Sequence, residues 1–275
     1  MLEPVVPGEA LARRLARHEA TVQAVGRREA RDLGDGLLLH DPADREPFWN
    51  RLAAPAWPDD VPAFERRLDE VVTLFATLDR LPHIRTLPLG NRPADLPARL
   101  VAAGFRPAGI DRSMVLVNPA ACLGLVRTLA SRPELTLEHI GRGQELRAIE
   151  AARLLVQAFD VESDRVPALG AETLAAGRRE DGAVLLLLVD DQPAAVARRV
   201  QVGPGTYLSS IATAPPLQGR GLGSLITALA VAEALEAGTA FIHLLVEADN
   251  GTAIGVYERL GFVLIGDPIH DLLLR

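Results

Sequence analysis

Lysine is missing from this chain of 275 residues: all 29 of its basic residues are arginine. That excludes a Walker A loop, a pyridoxal phosphate Schiff base and any catalytic lysine, each of which needs the ε-amino group. The absence is read as codon bias, because Ala, Leu, Arg, Pro and Gly dominate throughout. Cysteine is reduced to Cys122, so no intramolecular disulfide and no multi-cysteine zinc site can form. The histidines at 18, 40, 83, 139, 243 and 270 are scattered and no HExxH occurs, so no metal is expected. Long apolar runs are lacking too: the longest, Ala183 to Val189, is far below the roughly 20 residues of a membrane helix. Arg13, Arg14 and Arg17 are interleaved with Glu3, Glu9 and Glu19, which fits neither a transit peptide nor a signal peptide. A cytoplasmic protein without a membrane partner is expected. Excess positive charge is lacking as well. The 36 acidic residues give a formal charge of −7, without the basic footprint that nucleic-acid binding needs.

What is present is a globular composition, 48% apolar, and a length that suggests two domains. The first half reads as an arginine-studded helix over 8–32, a short strand at 37–39, and a helix from about 61 to 81. Asp59 or Asp60 can cap that helix, and Pro62 suits its first turn. A strand at 83–87, a helix at 95–103 stopped by Gly104, and a strand at 113–117 follow. The boundary is placed at 119–134, with a helix at 120–131 inside it. The expected domains are therefore 1–118 and 135–275. In the second, the patterns predict a strand (135–140), a helix (143–158), an acidic irregular stretch (160–170) and a second short helix. Strands at 184–189, 194–202 and 206–213, a helix at 221–237, a strand at 241–247, a helix at 251–260 and paired strands at 262–265 and 269–274 complete it. This order implies an α/β protein of the α+β kind, with helices on a mixed, partly antiparallel sheet.

The stretch Ile211 to Ser224 carries the most chemistry. A strand ending Ile211-Ala212-Thr213 runs into Gln218-Gly219-Arg220-Gly221-Leu222-Gly223-Ser224, which opens a helix. The first turn of a helix leaves about four N–H groups without intrahelical partners, at the positive end of its dipole. Glycines at 219, 221 and 223 clear side chains from those amides, so a pyrophosphate can approach, and Arg220 can add charge-assisted bonds. The spacing is GxGxG and not the dinucleotide GxGxxG, which demotes a Rossmann reading. A second pattern follows the next strand: Asn250 as a helix cap, then Ala253, Tyr257 and Leu260 on one face, and Gly261 as a stop before Phe262.

Together these patterns resemble the GNAT family of acyl-CoA-dependent N-acetyltransferases. Gln218-x-x-Gly221-x-Gly223 is similar to its Q/R-x-x-G-x-G/A motif, and Asn250…Tyr257-x-x-Leu260-Gly261-Phe262 to its late pattern. The strict resemblance covers roughly 206–265, and the element order extends it over about 135–275. It implies that acetyl-CoA enters between the strands at 206–213 and 241–247. Its pantetheine would bond to backbone at Ile211, Ala212 and Thr213, and its pyrophosphate would rest on amides from Gly219 to Ser224. Asn250 would contact the cofactor and Tyr257 would stand near its sulfur. A small-molecule or peptide amine would attack the thioester directly. A backbone N–H near Ile211–Thr213 would stabilise the oxyanion, and Tyr257 would protonate the departing thiolate. The general base stays open among Glu247, His243, Tyr207 and Ser209. Asp160, Glu162 and Asp164 are read as a solvated loop that could also attract a cationic amine. A monomer or homodimer is expected.

The first half echoes the second. Leu100 to Phe105 lines up with Tyr257 to Phe262, which puts Leu100 at the tyrosine position and Pro93 at the asparagine position. The run before its long helix has no glycine, and its aspartates repel phosphate. The resemblance therefore extends to a tandem arrangement whose first copy is degenerate and structural. Two readings compete with the enzyme: a non-catalytic acyl-CoA sensor or interaction module, and a nucleotide-binding protein.

Overall fold

In the structure, a computed structural model of the chain, residues 2–24 and 28–275 are described. The helices are α1 (Glu9–Gln23), α2 (Val61–Thr77), α3 (Leu96–Ala102), α4 (Ala120–Val126), α5 (Glu145–Ala158), α6 (Val166–Gly177), α7 (Leu222–Glu236) and α8 (Gly251–Arg259). The strands are β1 (Glu29–Asp32), β2 (Leu37–His40), β3 (Arg51–Ala53), β4 (His83–Arg85), β5 (Arg106–Leu116), β6 (Leu135–His139), β7 (Gly182–Val189), β8 (Gln192–Val202), β9 (Gly205–Thr213), β10 (Phe241–Glu247) and β11 (Phe262–Leu273). The fold is mixed α/β, as the element order implies.

β5 begins at Arg106, earlier than the strand expected at 113–117, and α6 begins at Val166, inside the stretch expected to be irregular; three further elements differ. The helix expected over 8–32 ends at Gln23, and 25–27 lie outside the described residues. The remainder, Glu29–Asp32, pairs antiparallel with β2. The reason is the turn that follows. Asp32 Oδ1 accepts from the Gly34 amide at 2.9 Å, and Leu33 N–H bonds to Gly36 O at 2.9 Å, so the hairpin overrides the helical pattern. β3, at Arg51–Ala53, has no counterpart in the sequence expectation. The two strands expected at 262–265 and 269–274 form one, β11, which Gly266 (φ +57) bends without breaking. A Cβ on Gly266 would stand 2.3 Å from Pro88 O, so only glycine fits there.

Two compact units share the chain. The first comprises Val5–Ser113, Leu245–Asn250 and Leu264–Arg275. β2 pairs antiparallel with β3, β3 parallel with β4, and β4 antiparallel with the end of β11, in the register Asp271↔Arg85 to Leu273↔His83. Phe64, Leu68, Val71 and Phe75 of α2 bury a stripe against Leu38, Leu52, Ile84, Leu100, Phe105 and Leu272. Asp60 caps α2, its Oδ2 accepting from the Ala63 amide at 3.0 Å. Asp60→Ala should lower the stability of the chain by about 1 kcal/mol in urea denaturation, as for other N-cap carboxylates. No loss would show that the helix stands without its cap.

The second unit comprises Met114–Leu244 and Gly251–Val263, together with residues up to Pro4. Its strands run β10-β9-β8-β7-β6. The β9–β10 pair is parallel and the others are antiparallel. Asp190 and Asp191, both at positive φ, make the β7–β8 hairpin turn. α5 and α6 cover Val184, Leu186, Leu188, Val196 and Ala212. α7 is buried on nearly every side, from Leu222 through Ala234. α4, inside the segment placed at the domain boundary, packs on α7. Among the described residues no helix is long and apolar enough to cross a membrane.

Candidate active site

The end of β9 and the start of α7 bring the first set of predicted residues together. The β8–β9 register slips between Val196↔Ala212 and Arg198↔Ser209, so β9 carries one extra residue there. Ser210 takes up the slip at φ +51, a left-handed conformation rare for serine. A bulge turns backbone groups away from the ladder, and here it sits directly ahead of Ile211, Ala212 and Thr213. The parallel register to β10 runs from Phe241↔Gly205 to Leu244↔Leu208. Ser209 to Thr213 therefore lie beyond those four pairs.

After Thr213 the chain makes a short 3-10 turn, Pro215–Leu217, then passes through Gln218, Gly219 and Arg220, all exposed, into α7. Gly219 (φ +75) and Gly221 (φ +77) are left-handed, and a Cβ at either would meet nothing within 4 Å. Glycine is needed at both positions for the backbone conformation, and the space beside them is open. Gly221 is the N-cap of α7 and offers no side-chain cap. The first-turn amides, Leu222, Gly223 and Ser224 among them, thus start a 15-residue helix without an oxygen supplied by its own cap. A Cβ at Gly223 would stand 3.1 Å from Thr213 Oγ1, so the strand end and the helix start touch.

The second set lies around α8. Asn250 immediately precedes it, and its amide bonds to Glu247 O at 3.1 Å. Tyr257 is 7% exposed and packs edge-on to Phe262, ring centroids 6.0 Å apart. Burial pushes its phenol up to about 12, so the hydroxyl stays protonated at any working pH. Gly261 (φ +94) ends the helix with Asn118 O directly against it, and it accepts from the Val117 amide at 3.0 Å.

The base candidates separate. Tyr207 and His243 are laterally paired across β9 and β10, both buried, with ring centroids 5.0 Å apart. Ser209 is half-buried and Glu247 is exposed. Asp160, Glu162 and Asp164 are exposed ahead of α6. Sequence reasoning missed Arg198, a buried guanidinium on the same sheet face as Tyr207. The signal was the pair Arg198-Arg199 inside a mostly apolar strand, where neighbouring side chains must face opposite sides. Among the described residues no group of three or more His, Cys, Asp or Glu side chains could hold a metal ion.

Residues 148–262 match the acetyltransferase (GNAT) family. Over 55 residues, 20% of this chain, the sequence is 40% identical to a mycothiol acetyltransferase of Corynebacterium urealyticum and 44% identical to one of Corynebacterium jeikeium. The match spans 16% of the length of each of those relatives. Among solved structures, a GCN5-related N-acetyltransferase from Kribbella flavida is similar with a TM-score of 0.69 and 22% identity, covering 96% of this chain and 95% of that one. A functionally unknown conserved protein from Staphylococcus epidermidis gives a TM-score of 0.69 at 14% identity, covering 90% and 94%. At these identities the two structures share the fold.

Proposed function

We propose that this chain, whose residues 148–262 match the acetyltransferase (GNAT) family, is an acetyl-CoA-dependent N-acetyltransferase acting on a primary amine. One observation carries the reading: α7 starts on left-handed glycines, without a side-chain cap, against the bulged end of β9. That arrangement fits a diphosphate on amides between Gly219 and Ser224, with Arg220 at the rim. Acetyl-CoA supplies an activated acyl group. The protein supplies a backbone N–H at the Ser210–Ile211 bulge, aimed at the thioester oxygen, where such a donor is commonly worth a few kcal/mol. Asn250 steadies the cofactor at the start of α8.

Tyr257 donates toward the sulfur as the C–S bond breaks. With its phenol at about 12, this proton is shared with the thiolate more than surrendered to it, since a thiol titrates near 8.5. Tyr257→Phe should lower kcat about a hundredfold and leave coenzyme A affinity unchanged, measured by thiol release and calorimetry. The raised value also sets a pH dependence. The unfolded phenol ionises near 10 and the folded one near 12, so this group removes stability between those pH values and limits the rate only as the pH approaches about 12. Unchanged turnover in Tyr257→Phe would sink its role as acid.

The first unit supports a tandem arrangement with a degenerate copy. Leu52↔Ile84 is a parallel pair with Ala54 two residues on at φ +52, as Leu208↔Leu244 is with Ser210 at φ +51. A buried histidine precedes each partner, His83 and His243, and left-handed glycines at 104 and 261 end α3 and α8. Two differences argue against a cofactor in the first copy. Ala53↔Arg85 extends the pairing by one residue, and Asp60 fills the anion position at the start of α2 with a carboxylate of the chain itself.

A panel of polyamines, aminoglycosides, amino acids and peptide N-termini, assayed for release of free thiol from acetyl-CoA, tests the enzyme. Coenzyme A binding without thiol release from any amine would favour a sensor instead.

A further inference from the structure

We propose that the first unit keeps a cation site where an active copy would hold its cofactor, and that Arg13 of α1 is its permanent occupant. The comparison of the two units rests on the tandem reading above; the site itself rests on hydrogen bonds within the first unit. The last parallel pair of β3 and β4 is Ala53↔Arg85. The two segments then part, with Ala54 left-handed (φ +52) at the point of parting. They meet again at one parallel bridge, Ala56↔Arg92, where the Trp57 amide donates to Arg92 O at 3.0 Å. Ala54 and Pro55 form one side of the opening between pair and bridge. On the other side Asn91 ties a loop back on itself, its Nδ2 donating to Leu87 O at 2.9 Å and its Oδ1 accepting from the Leu87 amide at 2.8 Å.

Arg13 enters this opening. Its Nη1 donates to Ala54 O at 2.7 Å and to Pro55 O at 3.4 Å, and its Nη2 donates to Gly90 O at 3.2 Å. One planar guanidinium thus spans both sides. A carbonyl accepts and cannot donate, so the opening selects a flat cation rich in donors. Burial, then the charges of Arg92 and Arg17, push the Arg13 guanidinium down from its ordinary value, a cost that these bonds offset. Glu9, one helical turn earlier on the same face, packs against Gly90, where an added Cβ would stand 2.6 Å from Glu9 Cγ. Ala54 and Pro55 correspond to Ser210 and Ile211, the backbone proposed above for the thioester oxygen and the pantetheine. In the first unit those carbonyls are already taken, and the bridge at Ala56 closes the passage beyond them. A pantetheine arm would have to displace Arg13 and break that bridge.

Arg13→Ala removes the equivalent of ethylguanidinium from the site and should lower the thermal midpoint by roughly 4–10 °C. Ethylguanidinium chloride at about 10 mM should restore at least about 2 °C of that loss and leave the unaltered protein unchanged. N-ethylurea, of the same shape without the charge, and sodium chloride at equal strength should restore none. Absence of rescue by ethylguanidinium, or equal rescue by N-ethylurea, overturns the proposal. Should Arg13→Ala not fold by circular dichroism, Arg13→Met decides, since it keeps the apolar stem without the donors; a midpoint equal to that of the unaltered protein overturns the site. Coenzyme A, titrated into the unaltered chain by calorimetry, should bind at no more than one equivalent, and a second equivalent overturns the proposal. No binding at all, with the rescue intact, supports the Arg13 site and counts against the acetyltransferase reading alone.

Discussion

Gly221→Glu is expected to weaken coenzyme A binding by roughly a hundredfold or more while the chain remains folded. The position is the N-cap of α7, at φ +77, with open space where a side chain would begin. A glutamate there loses stability to the left-handed backbone, by about 1–2 kcal/mol. It regains part of that by placing a negative charge at the positive end of the helix. The same charge then stands where a diphosphate would sit. Two anions compete for one set of amides, and the tethered one wins. Calorimetry with coenzyme A, alongside a thermal melt, separates loss of binding from loss of fold. Heat equal to that of the unaltered protein would remove the phosphate cradle and the function built on it. Gly203→Glu, at an open left-handed position in the turn between β8 and β9, is the matched control for added charge.

The second large effect concerns stability. Gly261→Ala should destabilise the chain by about 3–5 kcal/mol, read from urea unfolding at constant m value. The glycine is left-handed at φ +94, and an added Cβ would lie 1.9 Å from Asn118 O and 3.0 Å from Asn118 C. The amides of Val117 and Asn118 both bond to Gly261 O, at 3.0 and 3.3 Å, so the two segments cannot part without losing those bonds. Gly104→Ala makes the comparison sharp. Its φ is +97, but the added Cβ would meet only Leu274 Cδ1 at 3.5 Å, an ordinary contact. That variant should lose only about 1 kcal/mol, the conformational part alone. Similar losses for the two would show that backbone conformation, and not the collision with Asn118, sets the requirement at 261.

The amino-acid sequence by itself determined the elements whose information is local. Strand β10 was legible from its apolar run, α8 from Asn250 and Gly261, and the α7 start from glycines that need positive φ. The C-terminal order from β6 through α8 follows from such short-range signals. So does the capping of α2 by Asp60, where a carboxylate three residues ahead of a free amide needs no distant partner. Pairing and burial decided the rest. Glu29–Asp32 became a strand because a hairpin offered it β2, and α7 is buried all round because α4 packs on it. β2 is the next element in the chain, whereas α4 is remote from α7.

The same holds for charge. His83 Nε2 lies 2.8 Å from Asp271 Oδ1 although 188 positions separate them. Burial alone would raise the Asp271 carboxyl, but the Arg85 charge and the His83 hydrogen bond hold it below its ordinary value. Arg198 reads from sequence as one of two adjacent arginines. Only the register of β8 against β9, which places Arg198 opposite Ser209, and the cover of α6 make it a buried cation beside the bulge. A side chain's neighbours across a sheet depend on strand register, and register is a property of the folded whole.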